Sequence, residues 1–136
     1  MHTGAADVDG PSVSRAVGNH WRRRDASLTP SDDALWILAS DDADNPVGCG
    51  ALLHVSPDTA ELKRMFSTRQ RAGTGAALLA AIEQLARQRG YKAIRLSTRV
   101  INTRAVAFYQ RQGYQETDRY GVYVDRPASV CLSKTL

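Results

Sequence analysis

The sequence predicts an α/β fold in a single domain, built on a mixed and mostly antiparallel sheet. Three observations carry this. From Glu61 to Gly90 the chain reads as a strand, a short glycine-bearing turn and a helix. Residues alternate over Glu61–Ser67 with Leu62 and Phe66 apolar, and from Ala76 onward Leu78, Leu79, Ile82, Leu85 and Ala86 recur at helical spacing. Lys92 to Thr98 (KAIRLST) follows as a strand reached through that helix, and a helical crossover returns a strand parallel to the one it left. The other strand-like runs are joined by short turns, which pairs neighbours antiparallel.

In chain order, Met1 to about Gly10 is rich in Gly, Ala and Asp and has nothing to bury. It is expected to be a mobile tail, leaving 11–136 as the domain. Ser12 to Arg24 is expected as a helix with Val13, Ala16 and Val17 inward, ending in the basic cluster Arg22-Arg23-Arg24. Such a cluster is either a solvated face or a contact for an anionic partner. Ser27 to Asp33, with Pro30, is a loop; Ala34–Ser40 (ALWILAS) is a buried strand; Asp41 to Pro46 is a turn; Val47–Val55 (VGCGALLHV) is the next strand. Pro57-Asp58 then turns the chain into Glu61–Ser67. Gly90 stops the first central helix, with Arg87 and Arg89 where the helix dipole favours cations. Thr103 to Gln112 is a second helix closed by Gly113, and Tyr114–Arg119 and Ala128–Lys134 form a final antiparallel pair.

At 136 residues the chain suits one modest core, and 43% apolar with 24% charged residues is the balance of an ordinary globular protein. A net charge of +4 suits an anionic small ligand or nucleic acid, and its sign does not choose between them. Aromatic residues make up only 7% and no basic recognition motif is present, which weighs against a nucleic-acid module. Cys49 and Cys131 each lie in an apolar strand-like run, so free buried thiols in a reducing compartment are expected. With no bilayer-length apolar run and no signal-peptide core, the expected location is the cytoplasm.

The turn Gln70-Arg71-Ala72-Gly73-Thr74-Gly75 carries the first functional signal. Backbone N–H groups at a helix N-terminus, with no bulk at the glycines, make an anion site; the same residues also serve as a tight turn with no ligand. No GK[ST] follows, so this is not a Walker A loop, and the dinucleotide fingerprint lacks one glycine. The remaining Q/R-x-x-G-x-G/A pattern resembles that of the GCN5-related N-acetyltransferases, the GNAT superfamily. The resemblance implies that Gln70, Arg71, Ala72, Gly73, Thr74, Gly75 and Ala76 hold the pyrophosphate of acetyl-CoA.

A second segment, Asn102 through Tyr114 (NTRAVAFYQRQGY), is similar to the family's N-x-x-A-x-x-[FL]-Y-x-x-x-G-[FY]. It implies that the helix opening at Asn102 lies along the CoA arm and that Tyr109 protonates the departing thiolate. A phenol of ordinary pKa, about 10, is competent for this within hydrogen-bond reach of the sulfur. Asn102 also reads as a helix cap, and Phe108 as core. Glu61 matches a general-base position, and a carboxylate there could take a proton from an ammonium directly or through water. Met65, Phe66 and Ser67 match the strand end whose backbone pairs with pantetheine and polarises the thioester carbonyl, an effect of about 2.7 to 4 kcal/mol in comparable sites.

The end of the chain, with Tyr120-Gly121-Val122-Tyr123 and Ser129 to Leu136 (SVCLSKTL), resembles a bacterial GNAT subgroup with ill-defined small-molecule substrates. His54, Tyr120 and Tyr123 are the residues placed in the acceptor pocket, with packing or surface as the alternative. The resemblance covers about Ala34 to Leu136 and implies a sheet splayed between two central parallel strands, helices on both faces, and direct acetyl transfer to a small acceptor, an amine, with no metal. Departures are a turn from Ser67 to Gln70 shorter than usual, Gln70 where Arg is commoner, Ala72 for a frequent Gly, and no recognisable first strand. Loss of that strand would expose a sheet edge or part of the acceptor pocket, either of which a homodimer partner could cover. A catalytically weak acyl-CoA-binding or regulatory protein is the rival reading.

Overall fold

The computed structural model describes residues 12–17, 34–40, 43, 45–68 and 73–136. Strands β1 (Ser12–Val17), β2 (Ala34–Ser40), β3 (Pro46–Ser56) and β4 (Thr59–Ser67) run consecutively antiparallel. Helix α1 (Thr74–Gln88) crosses to β5 (Ala93–Arg99), which is parallel to β4. Helix α2 (Thr103–Arg111), the short strand β6 (Gln115–Thr117), a 3₁₀ turn at Gly121–Tyr123 and β7 (Ser129–Thr135) complete the chain. The seven strands form one sheet in the order β1-β2-β3-β4-β5-β7-β6, with β7 antiparallel to both of its neighbours.

Residues 12–17 correct the expected helix over Ser12 to Arg24. Val13, Ala16 and Val17 satisfy helical spacing, but so short a run also reads Ser-Val-Ser-Arg-Ala-Val at period two. The edge of β2 decides between them, because a buried strand needs its backbone paired, and β1 pairs it from Ser12↔Ser40 to Val17↔Leu35. This is the first strand that the sequence did not reveal, and β1 removes the exposed β2 edge on which a dimer partner was expected. The expected tail at Met1–Gly10, the cluster Arg22–Arg24, the loop at Ser27–Asp33 and the turn residues Gln70, Arg71 and Ala72 lie outside the described residues. The last antiparallel pair forms as expected, although β6 has only three residues.

Alternation along the strands separates two faces. On one, Leu35, Ile37, Leu52, Ala60, Leu62, Ile94, Leu96 and Leu132 pack against the α1 stripe Leu78, Leu79, Ile82, Leu85 and Ala86, and Val106, Phe108 and Tyr109 of α2 join the same core. Both described helices therefore share this face. On the other, Trp36, 2% exposed, pairs with Ala51 beside Leu53.

A buried polar clip ties α1 to the far end of the sheet. Glu83 of α1 accepts from the Tyr114 hydroxyl at 2.9 Å and from Lys134 Nζ of β7 at 3.1 Å, and Lys134 also donates to the Gln112 carbonyl at 2.9 Å. Burial and the adjoining Glu83 carboxylate push the Tyr114 phenol far above its ordinary value.

Candidate active site

The parallel ladder between β4 and β5 is only three pairs long: Thr59↔Ala93, Ala60↔Ile94 and Glu61↔Arg95. Beyond Glu61 the two strands diverge, and a cleft of about 450 Å³ opens between them. Its walls are Glu61 to Met65 of β4, Leu96 to Thr98 of β5, Asn102, Ala105 and Tyr109 at the start of and along α2, and Tyr123.

A bulge in β4 accompanies the opening. The register with β3 steps between Cys49↔Phe66 and Ala51↔Lys63, placing one extra residue on β4. Arg64 lies there with a left-handed φ of 57°, uncommon for a side-chain-bearing residue. The extra residue shifts the phase of the strand, so Met65 rather than Phe66 packs on the core with Leu62, and Phe66 is 62% exposed. This corrects the alternation expected over Glu61–Ser67. Met65 lines the cleft, whereas Phe66 and Ser67 are not among its lining residues.

At the head of α1, Gly73 occupies the cap position at φ 86°, a conformation that glycine adopts without strain. Among the described residues no side chain caps the helix, and a Cβ at Gly73 would meet nothing within 4 Å. Intrahelical bonding begins with the Ala77 N–H on the Gly73 carbonyl at 2.9 Å, so the first-turn N–H groups face outward from the helix without intrahelical partners. Gly75 is needed for a different reason, since a Cβ there would lie 3.2 Å from Ser67 Oγ and 3.4 Å from Phe108 Cζ. It lets the helix start sit directly on the strand end and on α2. Thr74 is buried, and Ala76 follows in the first turn. Thr68 Oγ1, just before the turn, is buried with no hydrogen-bond partner among the described residues.

Asn102 caps α2, its Oδ1 accepting from the Ala105 N–H at 3.3 Å, and it lines the cleft. Tyr109 is fixed by edge-on contacts with Phe108 and Tyr114, ring centroids 5.1 and 5.7 Å away. No hydrogen bond engages its hydroxyl among the described residues. Burial pushes its pKa up to about 12, which corrects the ordinary phenol assumed from the sequence and keeps the proton on the oxygen at neutral pH.

Glu61 lies on the opposite face, its side chain 12% exposed. Oε2 accepts from the Tyr120 hydroxyl at 3.3 Å and lies 3.6 Å from Lys63 Nζ, and Oε1 lies 3.7 Å from Arg95 Nη2. The Arg95 guanidinium stacks over the Tyr120 ring at 3.8 Å, and Lys63 donates to the Tyr123 hydroxyl at 3.4 Å. Burial first, then the Glu61 carboxylate, raises the Tyr120 phenol well above its ordinary range. Tyr120 and Tyr123 thus gather around Glu61, their rings edge to face at 5.5 Å. His54 does not. It is exposed on β3, its Nδ1 2.8 Å from the Tyr91 hydroxyl, and it is not among the residues lining the cleft. Sequence reasoning missed Lys63 and Arg95. Lys63 stands two residues after Glu61, hence on the same face, but the Arg95 pairing depends on a parallel register that no local pattern reports.

Strands splayed after a three-pair ladder, a glycine-headed helix seated on the end of β4 and a phenol in the gap define the acyl-CoA N-acyltransferase type of fold. The profile of the Acetyltransferase (GNAT) family matches residues 8–114, and the chain belongs to that family. It is 36% identical over 93 residues to the IAA acetyltransferase of Azospirillum brasilense, a match covering 66% of this chain and 61% of that protein's length. Among solved structures it superposes with a TM-score of 0.80 on a Klebsiella pneumoniae protein assigned as an acyl-CoA N-acyltransferase, at 26% identity and covering 93% of this chain and 97% of the other. A GNAT family acetyltransferase from Elizabethkingia anophelis with acetyl-CoA bound shares the fold at TM-score 0.74, with 20% identity over 94% of this chain and 99% of that one.

Proposed function

We propose that this chain moves an acetyl group from acetyl-CoA to the nitrogen of a small acceptor, by direct transfer within a ternary complex. The observation that carries the proposal is a cleft passing between the strands, with the Tyr109 hydroxyl, unpartnered among the described residues, on one face of the sheet and Glu61 on the other. Two reactants can then meet from opposite sides, which supplies the orientation that direct transfer requires.

Acetyl-CoA fits the residues present. The uncapped start of α1, with open space at Gly73, suits phosphate groups, and the β4 edge left unpaired beyond Glu61 suits an extended, amide-bearing arm. Bound there, acetyl-CoA supplies an acetyl group already activated as a thioester. Backbone N–H groups of the β4 edge, around Met65, serve as donors to negative charge developing on the carbonyl oxygen. Glu61 receives the proton of the acceptor ammonium, directly or through a water. Tyr109 holds a proton on its hydroxyl and donates it toward the departing thiolate. A phenol near 12 facing a thiol of ordinary pKa about 8.5 is a weak acid for that task, but the burial that raises the phenol also destabilises a thiolate in the same cleft. The gap between them narrows accordingly.

The test is thiol release from acetyl-CoA across a panel of amines, amino acids and small acids, with acetyl-CoA affinity measured by calorimetry. Turnover on any amine supports the proposal. Tight binding with no turnover on any acceptor transfers the assignment to an acyl-CoA-binding regulator, and absence of binding refutes both.

A further inference from the structure

The charges on the Glu61 face restrict the acceptor. One carboxylate meets two cations there, Lys63 at 3.6 Å and Arg95 at 3.7 Å, both longer than the 2.7–2.9 Å of a charge-assisted hydrogen bond. Neither cation is used up by Glu61. Lys63 has one other partner, the Tyr123 hydroxyl at 3.4 Å, and an ammonium has three donors. The Arg95 side chain makes no hydrogen bond among the described residues; it stacks on Tyr120, and its Nε is buried without a partner there. Buried donors in native proteins are nearly always satisfied, so an unsatisfied one beside a cleft calls for a ligand or a water.

We infer that the acceptor is an amine that also carries a carboxylate, an amino-acid-like zwitterion, with its nitrogen toward Glu61 and its carboxylate on Lys63 in the positive field of Arg95. The inference rests on the acetyl-transfer reading above. An acceptor with only an amine arrives as an ammonium and adds charge to a patch already net positive, whereas a zwitterion adds none. Of the two cations that meet Glu61, Lys63 lines the cleft and Arg95 does not, and Tyr123, which lines it with Tyr120 edge to face against its ring, offers an aromatic wall for the remainder of the molecule. The partial burial of these groups strengthens the discrimination, because a half-desolvated cation binds a carboxylate more tightly than a surface one.

Matched acceptors test this. With saturating acetyl-CoA, phenylalanine should be acetylated with a kcat/KM roughly 10- to 100-fold above that of phenethylamine, the range expected for one hydrogen bond to a charged group. Lys63→Met keeps the aliphatic stem and should collapse that ratio toward one, and Lys63→Arg should retain it. In a readout independent of turnover, CoA-saturated protein should bind N-acetylphenylalanine at least about tenfold more tightly than N-acetylphenethylamine. Equal or reversed preference, a ratio unchanged in Lys63→Met, or failure of both acetyl compounds to bind overturns the inference while leaving acetyl transfer standing. Failure to bind acetyl-CoA overturns both.

Discussion

Replacing Tyr109 by Phe removes one hydroxyl and nothing else from the cleft. The ring remains, with its edge-on contacts to Phe108 at 5.1 Å and to Tyr114 at 5.7 Å. The lost hydroxyl engages no hydrogen-bond partner among the described residues, so none is stranded by its removal, and stability should change by less than about 1 kcal/mol. General acid catalysis contributes about 10²- to 10⁴-fold, so kcat should fall within that range, roughly 3 to 5 kcal/mol at 1.36 kcal/mol per decade, with acetyl-CoA affinity nearly unchanged. The raised pKa adds a second signature. An acid with pKa about 12 stays protonated well past pH 10, so wild-type kcat should show no alkaline loss near the ordinary phenol value. Steady-state thiol release from pH 7 to 10.5, with calorimetry for acetyl-CoA, measures both. A wild-type kcat in the Phe variant would demote Tyr109 to packing. A loss confined to KM would mean the hydroxyl only positions the donor, and an alkaline limb at pH 10 that disappears in the variant would refute the buried, proton-holding phenol.

Asn and Asp both tolerate the left-handed conformation of Gly73, and Asp is the better partner for a helix N-terminus. Gly73→Asp should therefore fold as well as Gly73→Asn yet bind acetyl-CoA at least about tenfold more weakly, because its carboxylate opposes phosphate; equal affinities by calorimetry would remove the phosphates from this turn. Glu83→Ala strands the Tyr114 hydroxyl and a three-quarters-buried Lys134, and should lower stability by about 2 to 4 kcal/mol in urea unfolding, whereas Lys134→Met alone should cost less. Alkali should also destabilise the fold. The phenols of Tyr109, Tyr114 and Tyr120 all have folded pKa values above the ordinary 10, so the stability they contribute is fully present below pH 10 and is lost as pH rises toward the folded values. A melting temperature that held flat from pH 9.5 to 11.5 would contradict this. Arg64→Gly should leave the melting temperature level or higher and Arg64→Val should lower it, since a β-branched residue suffers most at φ 57°.

What the sequence made legible follows from how local each signal is. The α1 stripe from Leu78 to Ala86 and the runs that become β2, β3 and β4 are long enough to settle their type, and the helical crossover then dictates the parallel β4–β5 pair. The Tyr109 segment was legible because one short helix carries the phenol, its cap Asn102 and its core anchor Phe108. The failures are non-local. Six residues at Ser12–Val17 fit two periods, and only the unpaired edge of β2, far along the chain, selects the strand. The Arg64 bulge has no Gly or Asn to announce a left-handed residue, so the inversion of Met65 and Phe66 was hidden. His54 was placed by its chemistry alone, and its strand position leads it to Tyr91 instead.

The shortness of the β4–β5 ladder divides the sheet into two leaves, β1 to β4 on one side and β5 to β7 on the other. Three residue pairs form the hinge line, and α1, clipped through Glu83 to Tyr114 and Lys134, is the strap across it. In a strand every second amide points to the same neighbour, so beyond Glu61 alternate amides of β4 are bonded to β3 while those between them face the gap. Near the middle of a seven-stranded sheet, those amides should exchange hydrogen as fast as the rim of the molecule does, while the residues beside them stay protected. Protection alternating residue by residue along one central strand would mark where the two leaves part.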